Sequence, residues 1–373
     1  MRLQVSSASK RSVVVVGVGN IGSHLVPHLA RLTAVDRVTL IDCDVYDRGN
    51  LHGQDIAQSD FGKRKVHVQA RRLRAINPDL ELRAIPAKVE MVPLALLRAD
   101  VILACVDSRR ARQLINEAAW RLNVPWIDAG VLGASLLARI NVYVPSHEDP
   151  CLECAWGDSD YQHIEQIYPC AWKSASSAAT NASSAIGALA ASLQAIECQK
   201  LLEGSGEHVA VGRQVLIDVT HHKHYVTSYS RNPSCRFDHE VWKIQKLNGL
   251  KLTLAKALEV GRTTFGVKNP NRPSLRIGAL HFVRRVSCSR CGNTKSLLRL
   301  EASLRPAELK CGHCGGEMLA SGFDHIAQLN SDTIPEKCLG QTLRGLGLRL
   351  YDVLSLSDSQ GDKKHYEITD DLE

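Results

Sequence analysis

A chain of 373 residues, 44% hydrophobic and 23% charged, can bury a substantial core, so neither a disordered nor a fibrous protein is expected. No apolar run reaches the ~18 residues of a membrane span, and the opening MRLQVSSASKRS lacks the apolar core of a signal peptide, so a cytoplasmic protein without membrane association is expected. The net charge of +7, from 46 Lys+Arg against 39 Asp+Glu, permits an acidic partner or a nucleic acid but argues for neither.

In chain order, residues 12–16 are almost entirely β-branched and predict a strand buried on both faces of a parallel sheet. Gly17-Val18-Gly19-Asn20-Ile21-Gly22 follows and opens a helix reaching about residue 31. A second strand is expected over 37–41. A basic helix is expected over about 62–75, ended by Asn77-Pro78. Strands over 101–105, 126–129 and 136–144, with a helix over 108–122, continue the alternation. Residues 145–172 lack periodicity and read as a long loop. Residues 173–202 are rich in Ala and Ser, but Ile186, Leu189, Leu193, Ile196 and Leu201 fall at helical spacing, so a helix is expected there, with small residues that let another backbone approach. Strands over 214–219 and 224–228 follow, and a domain boundary is placed after His239. The expected fold is α/β, a doubly wound, Rossmann-like, mostly parallel sheet with a zinc-bound element over 1–240, plus a smaller domain over 241–373.

Twelve cysteines in a reducing compartment are not expected to form disulfides, and six of them form three Cys-x-x-Cys pairs. Cys288-x-x-Cys291 and Cys311-x-x-Cys314 are separated by 19 residues, and each pair is followed by Gly. That spacing specifies a zinc ribbon, whose four thiolates suit tetrahedral Zn²⁺. Cys151 and Cys154 need two further ligands. His221, His222 and His224 alternate along an expected strand, which scatters them over two faces, so they read as surface or core histidines.

Gly17, Gly19 and Gly22 have the spacing that lets backbone N–H groups approach a phosphate at a helix N-terminus. Asp42 ends the next strand, 20 residues after Gly22, where a carboxylate accepts hydrogen bonds from ribose hydroxyls. Taken alone, these residues describe an NAD(P)-dependent oxidoreductase.

The ordered set that follows is more specific: Asp42-Cys43-Asp44, Asn50-Leu51-His52-Gly53-Gln54, Gly62-Lys63-Arg64-Lys65, Asn77-Pro78, Asp107 with Arg112 and Asn116, Pro150-Cys151-x-x-Cys154, and Ser192-Leu193-Gln194-Ala195 with Glu197 and Lys200. Over about residues 12–240 the chain resembles the ubiquitin-activating-like, ThiF/MoeB/HesA-type adenylyltransferase superfamily. The resemblance implies ATP- and Mg²⁺-dependent adenylation of the C-terminal carboxylate of a ubiquitin-like or sulfur-carrier protein. It implies that Gly17, Gly19, Gly22, Asp42, Asp44, Asn50 and Gln54 bind the nucleotide, that Lys65 pairs with phosphate, and that Asp107 carries Mg²⁺. Read by residue type alone, Lys65 could be a solvated lysine of a basic helix, and Asp107 a helix cap. In zinc-containing relatives a second ligand pair lies downstream of the long helix, where this chain has Cys235 and His239, implying a Cys₃His site with Cys151 and Cys154.

Two departures stand out. Gly53 occupies a position usually held by Arg, and because the first strand starts almost at once, the arginine many members supply from an N-terminal helix is not expected here. Arg48, Arg109, Arg110 or a partner chain are the candidate replacements. Relatives also pass the activated carrier to a cysteine before the long helix, and from it to a conjugating-enzyme-like acceptor. Here Cys170 is the candidate. Alignment on Ser192-Leu193-Gln194-Ala195 puts the usual position near Ser177, which brings in Ser174, Ser176 and Ser177 as alternative nucleophiles. A homodimer or paired subunit is expected, and the C-terminal extension reads as a protein-recruitment module. The competing readings are a tRNA-modifying adenylating dehydratase of the same superfamily, the oxidoreductase, and a non-catalytic scaffold.

Overall fold

Val13 to Val16 have no polar side to turn toward water, and in the computed structural model of the chain all four are buried inside an eight-stranded sheet. The structure describes residues 10–165, 182–265, 273–332 and 334–370. These divide into two compact units. The first comprises the described residues of 10–92, 97–165 and 182–241, and the second those of 93–96 and 242–370.

The first unit contains β1 (Arg11–Val16), α1 (Asn20–Leu29), β2 (Val35–Ile41), α2 (Lys65–Ile76), β3 (Glu81–Ile85), β4 (Val101–Ala104), α3 (Arg109–Leu122), β5 (Trp126–Leu132), β6 (Leu137–Tyr143), α4 (Asp158–Glu165), α5 (Ser184–Leu202), β7 (Arg213–Asp218) and β8 (Lys223–Ser228). The strand order is β3-β2-β1-β4-β5-β6-β7-β8. Strands β3 to β5 pair in parallel, and β5 to β8 continue the sheet antiparallel. Residues 145–165 depart from the expected loop: Leu152–Ala155 forms a 3₁₀ turn and α4 follows it. The histidines also depart from the expected alternation. His221 and His222 lie in the turn between β7 and β8, and all three are exposed.

The small residues of α5 let α1 come close. Ala190 and Ala191 are fully buried, and a Cβ at Gly187 would stand 2.2 Å from Asn20 Oδ1. Gln194, buried at the middle of α5, donates to the main-chain carbonyls of Ala104 (3.1 Å) and Ile127 (2.9 Å), stapling the helix to β4 and β5. Glu197 accepts from the Ala210 amide and pairs with Lys200. This part of the family-like motif therefore holds the fold together.

The second unit contains β9 (Ile244–Asn248), α6 (Leu254–Phe265), β10 (Ser274–Arg276), β11 (Phe282–Cys288), β12 (Thr294–Leu300), β13 (Met318–Leu319), β14 (His325–Ile326), β15 (Val353–Ser357) and β16 (Lys363–Thr369). One sheet runs β10-β15-β16-β9. A second runs β12-β11-β13, with β14 also pairing to β11. Leu254, Leu258, Leu275, Phe282, Leu354 and Ile368 contribute to its own apolar core. No helix among the described residues is long and apolar enough to cross a membrane.

Candidate functional site

Strands β1 and β4 lie side by side, and the chain leaves them toward opposite ends of the sheet, which opens a crevice at their carboxyl edge. The Gly17–Gly22 loop forms one side. Gly17 has φ +88°, and a Cβ on it would lie 2.5 Å from Cys105 O. A Cβ on Gly22 would lie 2.1 Å from Gly17 O, so only glycine permits α1 to start this close to the loop. Gly19 has open space around it, as required where a ligand approaches the backbone.

Asp42 ties this loop to the next. Its Oδ2 accepts from the Val18 amide and its Oδ1 from the Asp44 amide, both at 2.8 Å. Burial raises the Asp42 pKa above the ordinary carboxylate value, and the two amides partly offset that rise. Lys65 is not a solvated lysine. Its side chain is only 8% exposed, and Nζ lies 3.3 Å from the exposed carboxylate of Asp44. Tyr46 was not evident in the sequence: it is buried, donates its hydroxyl to Val18 O (2.9 Å) and accepts from Gln69 Nε2 (2.8 Å). Asn50 exchanges hydrogen bonds with Asp47 in a capping box over Arg48–His52. Gln54 Oε1 is buried without a donor among the described residues. Asn20, a further residue missed by sequence reasoning, donates to the carbonyls of Gly53, Ala182 and Ser183. A Cβ at Gly53 would come within 2.7 Å of Ala182 O, so the arginine expected from the family has no room there.

Asp107, exposed, borders the other side of the crevice, just beyond β4. It does not cap α3. Ser108 is the N-cap, its hydroxyl accepting from the Ala111 amide at 3.0 Å. Arg112 donates to the Val106 and Asp107 carbonyls and to the wholly buried Asp128. Of the candidate replacement arginines, Arg109 pairs with Asp160 and Arg110 donates to Gln113 (2.7 Å), while Arg48 stands exposed at the start of the Asn50 turn.

The structure brings Cys151, Cys154, Cys235 and His239 together, with their ligand atoms within 4.8 Å of one another, and does the same for Cys288, Cys291, Cys311 and Cys314. In the first cluster Cys154 Sγ lies 3.3 Å from His239 Nε2 and Cys151 Sγ lies 3.8 Å from Cys235 Sγ. Hydrogen bonding from Cys151 draws the Cys154 pKa down to about 4, while Cys151 is pushed up by the same shared proton and by burial. In the second, the Cys314 and His313 amides hold Cys311 at about 6. Gly292 and Gly315 take φ +69° and +68°, the left-handed turns that let amides fold back toward sulfur. Three thiols with an imidazole in the first cluster, and four thiols in the second, fit a tetrahedral thiophilic cation in each. Cys170, Ser174, Ser176 and Ser177 lie outside the described residues.

Comparison with known proteins gives a consistent result. A model of the ThiF family matches residues 3–237. The chain is 33% identical over 150 residues to the sulfur carrier protein ThiS adenylyltransferase of Escherichia coli (strain K12), a match covering 39% of this chain and 59% of that protein. It is 29% identical over 233 residues to the sulfur carrier protein adenylyltransferase of Thermus thermophilus, covering 61% of this chain and 81% of that one. The fold is similar to that of the microcin C7 biosynthetic enzyme MccB in complex with N-formylated MccA, at a TM-score of 0.50 and 24% identity, over 61% of this chain and 67% of that one. The chain thus spans less than two thirds of the first of these relatives.

Proposed function

The chain belongs to the ThiF family, and from that premise we propose that it is an ATP-dependent adenylyltransferase acting on the C-terminal carboxylate of a ubiquitin-like or sulfur-carrier protein. One observation carries the reading. A continuous run of contacts joins the glycine loop to Asp42, Asp44 and Lys65 on one side of the crevice, while Gly17 packs on Cys105, two residues before Asp107, on the other.

In this reading the nucleotide phosphates meet the backbone at Gly19 and the N-terminus of α1. Asp42 keeps a lone pair on each oxygen to accept from the ribose, and Gln54 Oε1 is a buried acceptor available to a ligand donor. Asn50 lines the same turn. The carrier carboxylate attacks the α-phosphorus; a new P–O bond forms as the bond to pyrophosphate breaks. Lys65, held by Asp44 and largely out of water, balances charge that builds on the phosphate oxygens. A single exposed carboxylate fits Mg²⁺, which keeps most of its shell for water and phosphate, so Asp107 is the residue that would hold it. Bound there, Mg²⁺ neutralises phosphate charge. Arg48, exposed at the start of the Asn50 turn, is the candidate substitute for the missing clamp; a second subunit of a homodimer is the other source. The two cysteine-rich clusters hold structural Zn²⁺, Cys170 is the candidate acceptor for a thioester, and residues 241–373 recruit a protein partner, a conjugating-enzyme-like acceptor among them.

The experiment is exchange of labelled pyrophosphate into ATP in the presence of candidate carriers. Carrier-dependent exchange is expected, and Asp107→Ala should abolish it while leaving the thermal melt unchanged. Full exchange in that variant overturns the Asp107 assignment. NADH binding with no response to ATP overturns the adenylation reading as a whole.

A further inference from the structure

Asp128, on β5, has no exposed surface, and two arginines share its carboxylate. Oδ1 lies 2.8 Å from Arg112 Nε, and Oδ2 lies 2.8 Å from Arg139 Nη1. Arg139 passes over Gly130, where a Cβ would come within 3.1 Å of its Nε and Nη2, and donates to the buried Asn141 at 2.7 Å. Arg112, in the first turn of α3, spends its other donors on the main chain: Nη2 on Val106 O at 2.6 Å and Nη1 on Asp107 O at 3.4 Å.

Buried ion clusters seldom add stability over well-packed apolar side chains, because desolvation offsets the attraction; their best-attested use is to select one arrangement among several. The geometry supplies that use. A guanidinium is a rigid planar fork. With Nε hydrogen-bonded to Asp128 Oδ1, and Oδ2 of that carboxylate in an ion pair with Arg139, the Arg112 plane is set, and its two terminal nitrogens reach successive carbonyls just beyond β4. Those carbonyls belong to the two peptide groups that flank the Asp107 Cα, so holding both restricts the direction in which its side chain leaves the chain.

We propose that Asp128 is a positioning residue: through Arg112 it fixes the main chain at Val106 and Asp107, and thereby aims the Asp107 carboxylate at the divalent cation of the bound nucleotide. This rests on the nucleotide-site reading given above. Residues that orient a metal ligand without touching the metal typically change metal affinity by ~10–100-fold when altered, and a loss in that range is expected here.

The test is ATP binding to the full chain by calorimetry, with and without Mn²⁺ as the reporting cation, beside a thermal melt. Asp128→Asn keeps the shape and loses the charge. It should melt cooperatively, bind metal-free ATP with wild-type affinity, and need about ten-fold or more additional Mn²⁺ for half-saturation. Mn²⁺ half-saturation within about two-fold of wild type would overturn the proposal, since a packing role would leave it unmoved. If Asp128→Asn does not melt cooperatively, Arg112→Lys decides, because it keeps a cation against Asp128 but loses the fork: a raised half-saturation supports the proposal and an unchanged one overturns it. An unaltered protein whose ATP affinity ignores Mn²⁺ overturns the nucleotide-site reading beneath the proposal, a result distinct from either variant outcome.

Discussion

His24 projects from α1 toward α5, where its Nε2 lies 3.0 Å from Ser184 Oγ. Burial lowers its pKa below the ordinary 6.5, against a smaller opposing pull from Asp55. In the unfolded chain the ring titrates near 6.5, so below that pH the unfolded state binds more protons than the folded one. Stability should therefore fall as pH drops through 6.5, until the lower folded pKa is passed; above 6.5 the contribution is constant. His24→Asn removes the titration and keeps a polar group beside Ser184. Its Tm should fall less than that of the unaltered chain between about pH 7 and about pH 5, the range in which histidine changes charge. Equal slopes for the two proteins would assign the acid sensitivity elsewhere.

At the scale of elements, α3 connects the first cysteine cluster to the crevice. Asn116 Oδ1 accepts from the Leu152 amide at 3.1 Å, Gln113 Nε2 donates to Glu153 at 3.1 Å, and the Trp120 ring meets the His239 ring edge-on, with centroids 4.8 Å apart. Asp107 and Arg112 stand at the other end of that helix. About two zinc ions per chain are expected from the two ligand sets. Cys151→Ser should leave one and change the tryptophan fluorescence, because Trp120 packs on a ligand of the cluster it disrupts. Metal analysis with one zinc in both proteins would confine zinc to the Cys288–Cys314 set.

These elements also mark how far sequence can be read. The β-branched run of β1, the small residues of α5 and the paired cysteines are local patterns. Strand β1 and the cysteine clusters formed where local pattern predicts, while α5 covers Ser184–Leu202 of the expected 173–202, with Ala182 and Ser183 outside the helix. Residues 145–165 mislead because α4 carries too little apolar periodicity to stand out from a loop. Asn116 was noticed only as part of a family-like set; its physical task depends on an amide 36 positions away. Asp128, Arg139 and Tyr46 left no signal at all, since an ion cluster across strands and a hydroxyl on a loop carbonyl have no period along the chain. The absence of room at Gly53 likewise depends on Ala182, far off in sequence.

At the scale of the molecule, each unit has its own apolar core, one around Val15, Leu25, Leu103 and Ala190, the other around Leu254, Phe282 and Leu354. Chains with separate cores commonly depart from two-state unfolding. Differential scanning calorimetry should give more than one transition, and a single one with equal calorimetric and van't Hoff enthalpies would show that the cores melt together.

The eight-stranded sheet ends on β8, every residue of which is exposed, including Tyr225 and Val226 at 44% and 55%. Among the described residues β8 pairs in that sheet only with β7, so its outer edge is a row of backbone donors and acceptors able to template another strand. An open edge of this kind is the place where a strand from a second copy would add to the sheet as the protein is concentrated. Lys223, exposed at the head of β8, supplies the charge that such edges use to discourage stacking.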